Sequence, residues 1–340
     1  MPLTTRNIFL ENIRSAADHI YDAAVRTPLV RLDLPSAADP GPDQTLPQIH
    51  LKLETLQPIG SFKIRGAYNA VRQLTPGELA GGVWTVSAGN AAQGVALAAR
   101  HMGARCSVMV MDTAPETKLR AIERLGAGIV TASYDECWRT VETHRSDRMH
   151  GHFVHPFDDD RFISGNGTIG IEIHEDLPEV DAVIAPLGGG GLLAGIACAL
   201  RELAPNARIY AAEPDTAAPL ATSIKAGCAS YFDGWKASFV DGAGGRSVIE
   251  TMWPLLRDTV TASIVVSLDE VARAMRLTAD RVHVIAEGAA ACAVAAALSP
   301  QFAARGHRHV VAVVSGGNID LTRFAQLVRA CPEPVGRARP

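Results

Sequence analysis

Short runs of β-branched residues alternate with longer stretches of helical period along this chain, and this alternation constrains the fold more than any other feature. It is typical of βαβ units around a mainly parallel sheet. Strands are predicted at Ile49–Leu53, Gly82–Val86, Cys106–Met111, Gly128–Thr131, Ala182–Pro186, Arg208–Ala212, Ser263–Ser267 and His309–Ser315. Helices are predicted at Asn7–Ala24, Phe62–Gln73, Ala91–His101, Ala114–Leu125, Tyr134–Met149, Gly191–Leu203, Leu268–Asp280 and Glu287–Leu298. The pattern therefore predicts an α/β protein.

Composition limits the size and the partners of this protein. A chain of 340 residues with 47% apolar residues exceeds what one core usually holds, so two compact lobes are expected. The 32 basic and 36 acidic residues are intermixed, so no positive field exists that would hold a nucleic acid. We interpret the turn-rich segments Pro35–Leu46 and Phe232–Arg246 as surface loops and expect the tail Cys331–Pro340 to fray.

Cysteine spacing and the absence of long apolar runs indicate in which cellular compartment the protein resides. The six cysteines lie far apart with no CxxC pair, which favours reduced thiols over a disulfide framework or a zinc site. The chain begins without an apolar signal region, and its apolar runs are shorter than the ~18–20 residues that a bilayer span requires. A cytoplasmic protein with no membrane contact is predicted.

A turn of four glycines, Gly188–Gly191, follows one predicted strand and begins the helix that contains Leu192. Glycines let main-chain N–H groups converge, and a helix N-terminus adds a positive dipole end, so the turn suits a phosphate group. The alternative is a plain tight turn, which needs fewer glycines.

Two further turns have the same place between a strand and a helix. Ser87–Gly94 offers free N–H groups and polar side chains that suit a carboxylate, although simple N-capping by Ser87 or Asn90 is the alternative. The turn Ser315-Gly316-Gly317-Asn318 closes the strongest predicted strand. Ligands of open α/β sheets bind at such strand ends.

Lys63 stands at the start of a predicted helix, beside Phe62. An apolar setting lowers the pKa of a lysine amine and makes it a nucleophile toward carbonyls. Most lysines are solvated surface residues, so only the neighbouring motifs favour a catalytic role here.

Taken together, these motifs resemble the fold-type II pyridoxal-phosphate enzymes, in the branch of threonine/serine dehydratases and serine racemase. The resemblance spans roughly residues 5–328. It rests on Lys52-Leu53-Glu54, Ser61-Phe62-Lys63-Ile64-Arg65-Gly66, Ser87–Gly94, Gly165-Asn166-Gly167-Thr168, Pro186–Leu192, Ala212-Glu213-Pro214 and Ser315–Asn318, in the family's order. It implies a two-lobed, tryptophan synthase β-like fold with mainly parallel sheets flanked by helices. We place the large cofactor-binding domain in residues 1–59 and 158–340 and the small substrate-loop domain in residues 60–157.

By this resemblance Lys63 would hold pyridoxal 5′-phosphate as a Schiff base and remove the Cα proton of an amino acid. The other coenzyme contacts would be Phe62 on the ring, Asn90 at the 3′ oxygen, Ser315 at the ring nitrogen, Glu287 near the ring, and Gly188, Gly189, Gly190, Gly191 and Leu192 around the phosphate. For Glu287, a carboxylate that favours a helix dipole is an equal alternative. The substrate carboxylate would bind Ser87, Ala88, Gly89, Asn90, Ala91 and Gln93.

The implied reaction is the dehydration of a β-hydroxy-α-amino acid to a 2-oxo acid and ammonia. Ala88 stands where serine racemase has the serine that acts on the opposite face of Cα, so weak racemase activity is expected. Ala91 stands where the Ser-x-Gly-Asn-His pattern has histidine, so we hypothesise a pocket for a substituent bulkier than that of L-threonine or L-serine, such as phenylserine. A nearby side chain that refills the space is the alternative.

The cation site of the family also differs in this chain. Glu213 and the Ala217 carbonyl match possible ligands, but Pro219 replaces a carboxylate. A monovalent cation, a weak divalent site or none is therefore expected. The few residues after Asn318 are too few for a regulatory domain, so we expect an unregulated, catabolic enzyme. The family also implies a homodimer.

Other functions fit part of the pattern. Gly189-x-Gly191-x-x-Ala194 with Glu213 satisfies a dinucleotide fingerprint, which would indicate an NAD-dependent oxidoreductase. That reading explains neither Lys63 nor Ser87–Gly94. A β-replacement enzyme, a serine racemase and a catalytically silent binding protein are the remaining alternatives.

Overall fold

The computed structural model describes Arg6, residues 8–34 and residues 47–330. The predicted loop Pro35–Leu46, the predicted tail Cys331–Pro340 and Asn7, the first residue of the first predicted helix, lie outside these residues.

The strands form two sheets. They are β1 Leu29–Arg31, β2 Gln48–Leu53, β3 Val83–Val86, β4 Cys106–Met111, β5 Gly128–Ala132, β6 His152–Phe153, β7 Ala182–Pro186, β8 Arg208–Pro214, β9 Ala262–Val266 and β10 His309–Val314. The large sheet has the order β1-β2-β10-β7-β8-β9 and the small sheet the order β5-β4-β3-β6. All pairs are parallel except that of β1 with β2. Each predicted strand is confirmed to within two residues, and the mainly parallel α/β fold is confirmed. The short strands β1 and β6 were not predicted.

Helices flank both sheets. They are α1 Leu10–Ile20, α2 Lys63–Arg72, α3 Pro76–Gly81, α4 Asn90–His101, α5 Glu116–Arg124, α6 Tyr134–Thr143, α7 Asp160–Asp176, α8 Gly191–Leu203, α9 Pro219–Ala226, α10 Trp253–Thr259, α11 Leu268–Val282, α12 Gly288–Leu298, α13 Pro300–Ala303 and α14 Leu321–Ala330. Helix α6 ends before the predicted Met149 because His144 takes a left-handed conformation with φ of 59°. Helix α1 is also shorter than predicted.

The long helix α7 was missed because it contains Gly165, Gly167 and Gly170, and glycine disfavours helices. The structure gives these glycines a packing role. A Cβ on Gly165 would overlap the Arg65 carbonyl of α2, and one on Gly167 would lie 2.9 Å from the Gly195 carbonyl of α8. Helices α2 and α8 therefore each pack closely against α7 through their backbones.

A buried network of charges joins β2, α2 and α7. Arg65 pairs with Glu54 at 2.8 Å and with Glu172 at 2.6 Å, and Lys52 pairs with Glu172 at 2.6 Å. All four side chains are fully buried. Each charge has an opposite partner, which is what a charge needs to be tolerated in a core.

The segment predicted as a surface loop at Phe232–Arg246 is mostly irregular and exposed or half-buried, so the prediction is confirmed for most of its residues. It contains one short 3₁₀ turn at Asp241–Ala243, and Val240 and Ala243 are buried in the large core. Of the helices described here, none combines the length and the apolar character that crossing a bilayer demands.

Candidate active site

Lys63 is the first residue of α2, and its side chain is half-buried between aromatic rings. Its Nζ lies 5.2 Å from the ring centroid of Phe62 and 5.3 Å from that of Phe162. Nζ donates a hydrogen bond to the carbonyl oxygen of Pro156 at 2.6 Å. Desolvation lowers the pKa of the amine to about 8. A larger fraction of the amine is therefore neutral, and hence nucleophilic, near neutral pH than in an exposed lysine.

The four-glycine turn joins β7 to α8 and has no room for side chains. Gly190 has φ of +90°, which favours glycine, and a Cβ on Gly189 would overlap the ring of Phe157. A Cβ on Gly188 would lie 2.7 Å from the Gly242 carbonyl. Four successive glycines exceed the needs of a plain tight turn. Together with the N-terminus of α8, the turn fits the phosphate group of the predicted coenzyme. Leu192 follows it as a buried residue of α8.

The Ser87–Gln93 loop connects β3 to α4. Gly89, not Ser87 or Asn90, is the N-cap residue, and no side chain among the described residues caps this helix. The N-capping alternative is therefore wrong. The Ser87 hydroxyl accepts from the Gly89 N–H at 3.1 Å, and the first N–H groups of α4 have no partner within the helix. Ala88, Asn90 and Gln93 are half-buried, whereas Ala91 is buried.

A close contact places this loop beside Lys63. A Cβ on Gly94, the fifth residue of α4, would lie 3.0 Å from the Lys63 carbonyl oxygen. Phe62 is joined in turn to the Ser315 turn, because its N–H donates to the Ser315 carbonyl at 3.0 Å. Ser61 and Gly316 form an isolated bridge at the same place, and Ser315 is buried at the end of β10. The structure therefore brings the predicted lysine and two of the predicted turns together.

Glu287 immediately precedes α12, but its side chain does not cap that helix in the described structure. Its Oε1 accepts from Asn90 Nδ2 at 2.8 Å. Burial, with a smaller effect of Asp241, raises the pKa of Glu287 to about 7, although the bond from Asn90 opposes this shift. The geometry favours a place in the site over a purely helix-stabilising carboxylate.

Three contributors were missed from the sequence. Pro156 provides the acceptor for Lys63, Phe157 packs on the glycine turn, and Asn318 donates to Asn90 Oδ1 at 2.8 Å. The segment of Pro156 and Phe157 follows the two-residue strand β6, which is too short to give a periodic signal. Asn318 is the last residue of the Ser315-Gly316-Gly317-Asn318 motif, in which the resemblance gives a role only to Ser315.

The neighbourhood of Pro156 is held by hydrogen bonds. His155 Nδ1 accepts from the Asp158 N–H at 2.7 Å, and its Nε2 lies 3.1 Å from the Val141 carbonyl. Burial, assisted by His144, lowers the pKa of His155 to about 3, so the ring is neutral. Both ring nitrogens are occupied, which argues against a metal at the cluster of His144, His155 and Asp158.

The carboxyl group of Glu213, the predicted cation ligand, already has hydrogen-bond partners within the protein. Its carboxylate accepts from the N–H groups of Leu220 and Ala221, both at 2.8 Å, and from the Ser263 hydroxyl. Burial raises its pKa to about 7. A carboxyl engaged in this way is not placed to bind a ribose, which argues against the dinucleotide reading. Ala217 is buried nearby, and a cation at its carbonyl stays a prediction.

Comparison with known proteins agrees with this site. A family model described as pyridoxal-phosphate dependent enzyme matches residues 20–316. The L-threonine ammonia-lyase of Thermotoga maritima is 35% identical over 323 residues, which cover 94% of this chain and 78% of that protein. The catabolic L-threonine dehydratase TdcB of Escherichia coli K12 is 37% identical over 282 residues, which cover 82% of this chain and 85% of that protein.

The solved structure of maize serine racemase is 30% identical and superposes with a TM-score of 0.82, over 94% of this chain and 97% of that one. The predicted fold type is confirmed by this likeness. The chain belongs to the family of pyridoxal-phosphate dependent enzymes, and its coenzyme is pyridoxal 5′-phosphate.

Proposed function

We propose that this protein is a lyase that dehydrates a β-hydroxy-α-amino acid to a 2-oxo acid and ammonia. The observation that carries the proposal is the amine of Lys63, which is desolvated and oriented by the Pro156 carbonyl. The backbone of the same residue packs against Gly94, at the end of the Ser87–Gly94 turn. The similarity to a threonine ammonia-lyase and a threonine dehydratase supports the same reaction class.

The bound coenzyme supplies an electron-withdrawing ring that makes the Cα proton of an attached amino acid acidic. The chain supplies the other parts. The free N–H groups at the start of α4 suit the substrate carboxylate, and the Gly188–Gly191 turn suits the coenzyme phosphate. The neutral Lys63 amine is the base offered for the Cα proton, because its low pKa leaves a lone pair available.

Ser315 supports elimination over transamination. We propose that its hydroxyl faces the coenzyme ring nitrogen, where other enzymes place a carboxylate. A neutral hydroxyl does not stabilise a protonated ring, so the ring withdraws electrons less strongly. Weaker electron withdrawal of this kind would favour loss of the β-hydroxyl over transamination.

Racemisation is the first alternative, since one similar structure is a serine racemase. We propose that racemisation is slow, because Ala88 provides no second proton donor on the side of Cα opposite Lys63. β-Replacement is the second alternative and would require a nucleophile that bonds to Cβ in place of the lost β-substituent.

The substrate proposal rests on Ala91. An alanine lacks the imidazole of the usual Ser-x-Gly-Asn-His pattern, which frees on the order of 100 Å² of surface beside the substrate loop. We infer that the pocket for the substrate side chain accepts a larger β-substituent than methyl. Phenylserine is then the natural candidate substrate, and L-threonine and L-serine are the smaller candidates.

The test is a panel of β-hydroxy amino acids assayed for 2-oxo acid and ammonia, with the visible absorbance of the bound coenzyme recorded in parallel. Lys63→Ala should abolish both the absorbance and the activity. Release of inverted amino acid without 2-oxo acid would favour the racemase. Consumption of substrate only when a thiol is added would favour β-replacement.

The assembly, the location and the domain boundaries are further proposals. By the family resemblance we propose a homodimer in the cytoplasm, with the small domain in residues 60–157 and the large one in the rest. Sedimentation of the purified enzyme tests the dimer.

A further inference from the structure

A chain of hydrogen bonds fixes the orientation of the Asn90 side-chain amide. It begins at the main-chain carbonyl of Ile59, which can only accept. Asn318 Nδ2 donates to this carbonyl at 2.7 Å and to Asn90 Oδ1 at 2.8 Å. Both N–H bonds of the Asn318 amide are thereby used. The atom of Asn90 that faces Asn318 must therefore be its oxygen.

The orientation of Asn90 then follows. With its oxygen toward Asn318, its Nδ2 donates one N–H to Glu287 Oε1 at 2.8 Å. In the part of the chain that the structure describes, the second N–H of Nδ2 has no protein acceptor. A reversed amide would set two N–H groups against each other at Asn318 and two oxygens against each other at Glu287, each an uncompensated contact.

We propose that Asn318 is a positioning residue, which holds the Asn90 amide so that an N–H, and not the carbonyl oxygen, faces the 3′ oxygen of the coenzyme. This inference rests on the proposed contact between Asn90 and that oxygen. A donor at this place favours the ionised form of the oxygen, whereas an acceptor would favour its protonated form.

The surroundings of Asn318 are shaped for this role. Gly60 has φ of +70°, and a Cβ there would lie 2.8 Å from Asn318 Oδ1, so only glycine leaves the Asn318 amide in its place. Gly317, its neighbour, donates its N–H to the Gly60 carbonyl at 2.9 Å. The Ser315–Asn318 turn is therefore attached to the turn before Lys63 through main-chain and side-chain bonds.

The experiment compares Asn318→Asp with Asn318→Ala in the holoenzyme. The new carboxylate has nearly the shape of the amide but cannot donate, so Asn90 should reverse its amide to donate toward it. Asn318→Ala removes the bond without forcing a reversal. We expect Asn318→Asp to weaken coenzyme binding by roughly tenfold or more, and Asn318→Ala by less.

Absorbance provides a second readout that does not depend on turnover. In a pH titration of the bound coenzyme, Asn318→Asp should shift the visible band toward the form with a protonated 3′ oxygen. Asn90→Ala should give a similar shift, and adding Asn318→Asp to Asn90→Ala should change little, because one residue acts through the other. Gln326→Glu, an exposed change of amide to carboxylate on α14, is the matched control and should leave spectrum and affinity unchanged.

A role in filling space predicts the reverse order, with Asn318→Ala more damaging than the isosteric Asn318→Asp, and that order would overturn the proposal. So would additive effects in the double variant, or an unshifted spectrum for Asn318→Asp. Thermal unfolding of each variant identifies any that fail to fold. Release of 2-oxo acid by the unaltered enzyme decides the dehydratase proposal separately.

Discussion

The Lys63 amine donates to the Pro156 carbonyl oxygen at 2.6 Å, so the neutral amine is held in one direction with its lone pair turned away from that bond. The acceptor is an uncharged carbonyl and does not stabilise the ammonium form as a carboxylate would. This is consistent with a pKa of about 8, which burial lowers from the ordinary value of 10.5.

We predict that coenzyme-free protein captures pyridoxal 5′-phosphate faster as the pH rises toward 8 and reaches a plateau above it. The neutral amine is the reactive form, and it predominates above the pKa of about 8. Stopped-flow absorbance between pH 6 and pH 10 measures the rate. The exposed Lys225→Ala variant is the control and should give the same profile. A rate that still increases tenfold per pH unit above pH 9 would show that the amine titrates like a solvated lysine.

Gly189→Ala should reduce coenzyme affinity by at least tenfold, because its methyl group would overlap the Phe157 ring and displace the phosphate turn. Equilibrium dialysis of the coenzyme provides the measurement. Gly77→Ala is the matched control, since a Cβ there has no atom within 4 Å and Gly77 lies within a helix. Adding Phe157→Leu, which frees space, should restore part of the affinity. If Gly189→Ala binds coenzyme normally, the turn does not hold the phosphate.

The extent of prediction from sequence differs between the fold and the site. The strands were predictable because β-branched runs report on burial, and Lys63 and Gly188–Gly191 because their motifs are local. Helix α7 was not predictable, because local helix propensity disfavours its glycines. The close packing against α2 and α8 that requires them is not visible in the local sequence. The bond from Asn90 to Glu287 joins residues remote in sequence, and it depends on how the two sheets face each other.

Glu172→Gln should destabilise the protein by about 3–5 kcal/mol at neutral pH, because it removes one negative charge from between Arg65 and Lys52 in the core. Urea unfolding measures the loss. Glu175→Gln on the same helix is the control: its ion pair with Arg26 is about half exposed, and we expect a cost of at most ~1 kcal/mol.

The stability difference between the wild type and Glu172→Gln should depend on pH, and the sign of this dependence follows from the pKa of Glu172. Burial alone would raise the pKa of Glu172, but Arg65 and Lys52 outweigh it and hold the pKa below its ordinary value. A lowered carboxyl pKa contributes stability above the pKa of the unfolded chain and loses it as the pH falls through the folded value. The difference between the wild type and Glu172→Gln should therefore shrink in acid. A difference that is constant from pH 7 to pH 3 would contradict the pairing.

Removal of divalent cations should leave activity largely intact. The Glu213 carboxyl already accepts from two main-chain N–H groups and the Ser263 hydroxyl, and Pro219 provides no carboxylate to a cation. Activity is measured after dialysis against a chelator, with and without added Mg²⁺ and with K⁺ in place of Na⁺ as a test for a monovalent site. A large loss that Mg²⁺ restores would show that the divalent site is functional despite Pro219.

Ala91→His should shift substrate preference from L-threo-phenylserine toward L-threonine, whose side chain is smaller. The buried Ala91 methyl stands at the start of α4, and an imidazole there would occupy the space that we assign to a bulky β-substituent. We expect the wild type to turn over L-threo-phenylserine with a higher kcat/KM than L-threonine. Ala91→His should lower the ratio of these two kcat/KM values by roughly tenfold, about 1.4 kcal/mol in transition-state binding.

Ala303→His, an exposed alanine-to-histidine change in α13, is the control for a general effect of the new side chain. A wild-type preference for L-threonine of tenfold or more would mean that a neighbouring side chain fills the space left by the missing imidazole, and the enzyme would then be a threonine dehydratase of ordinary specificity.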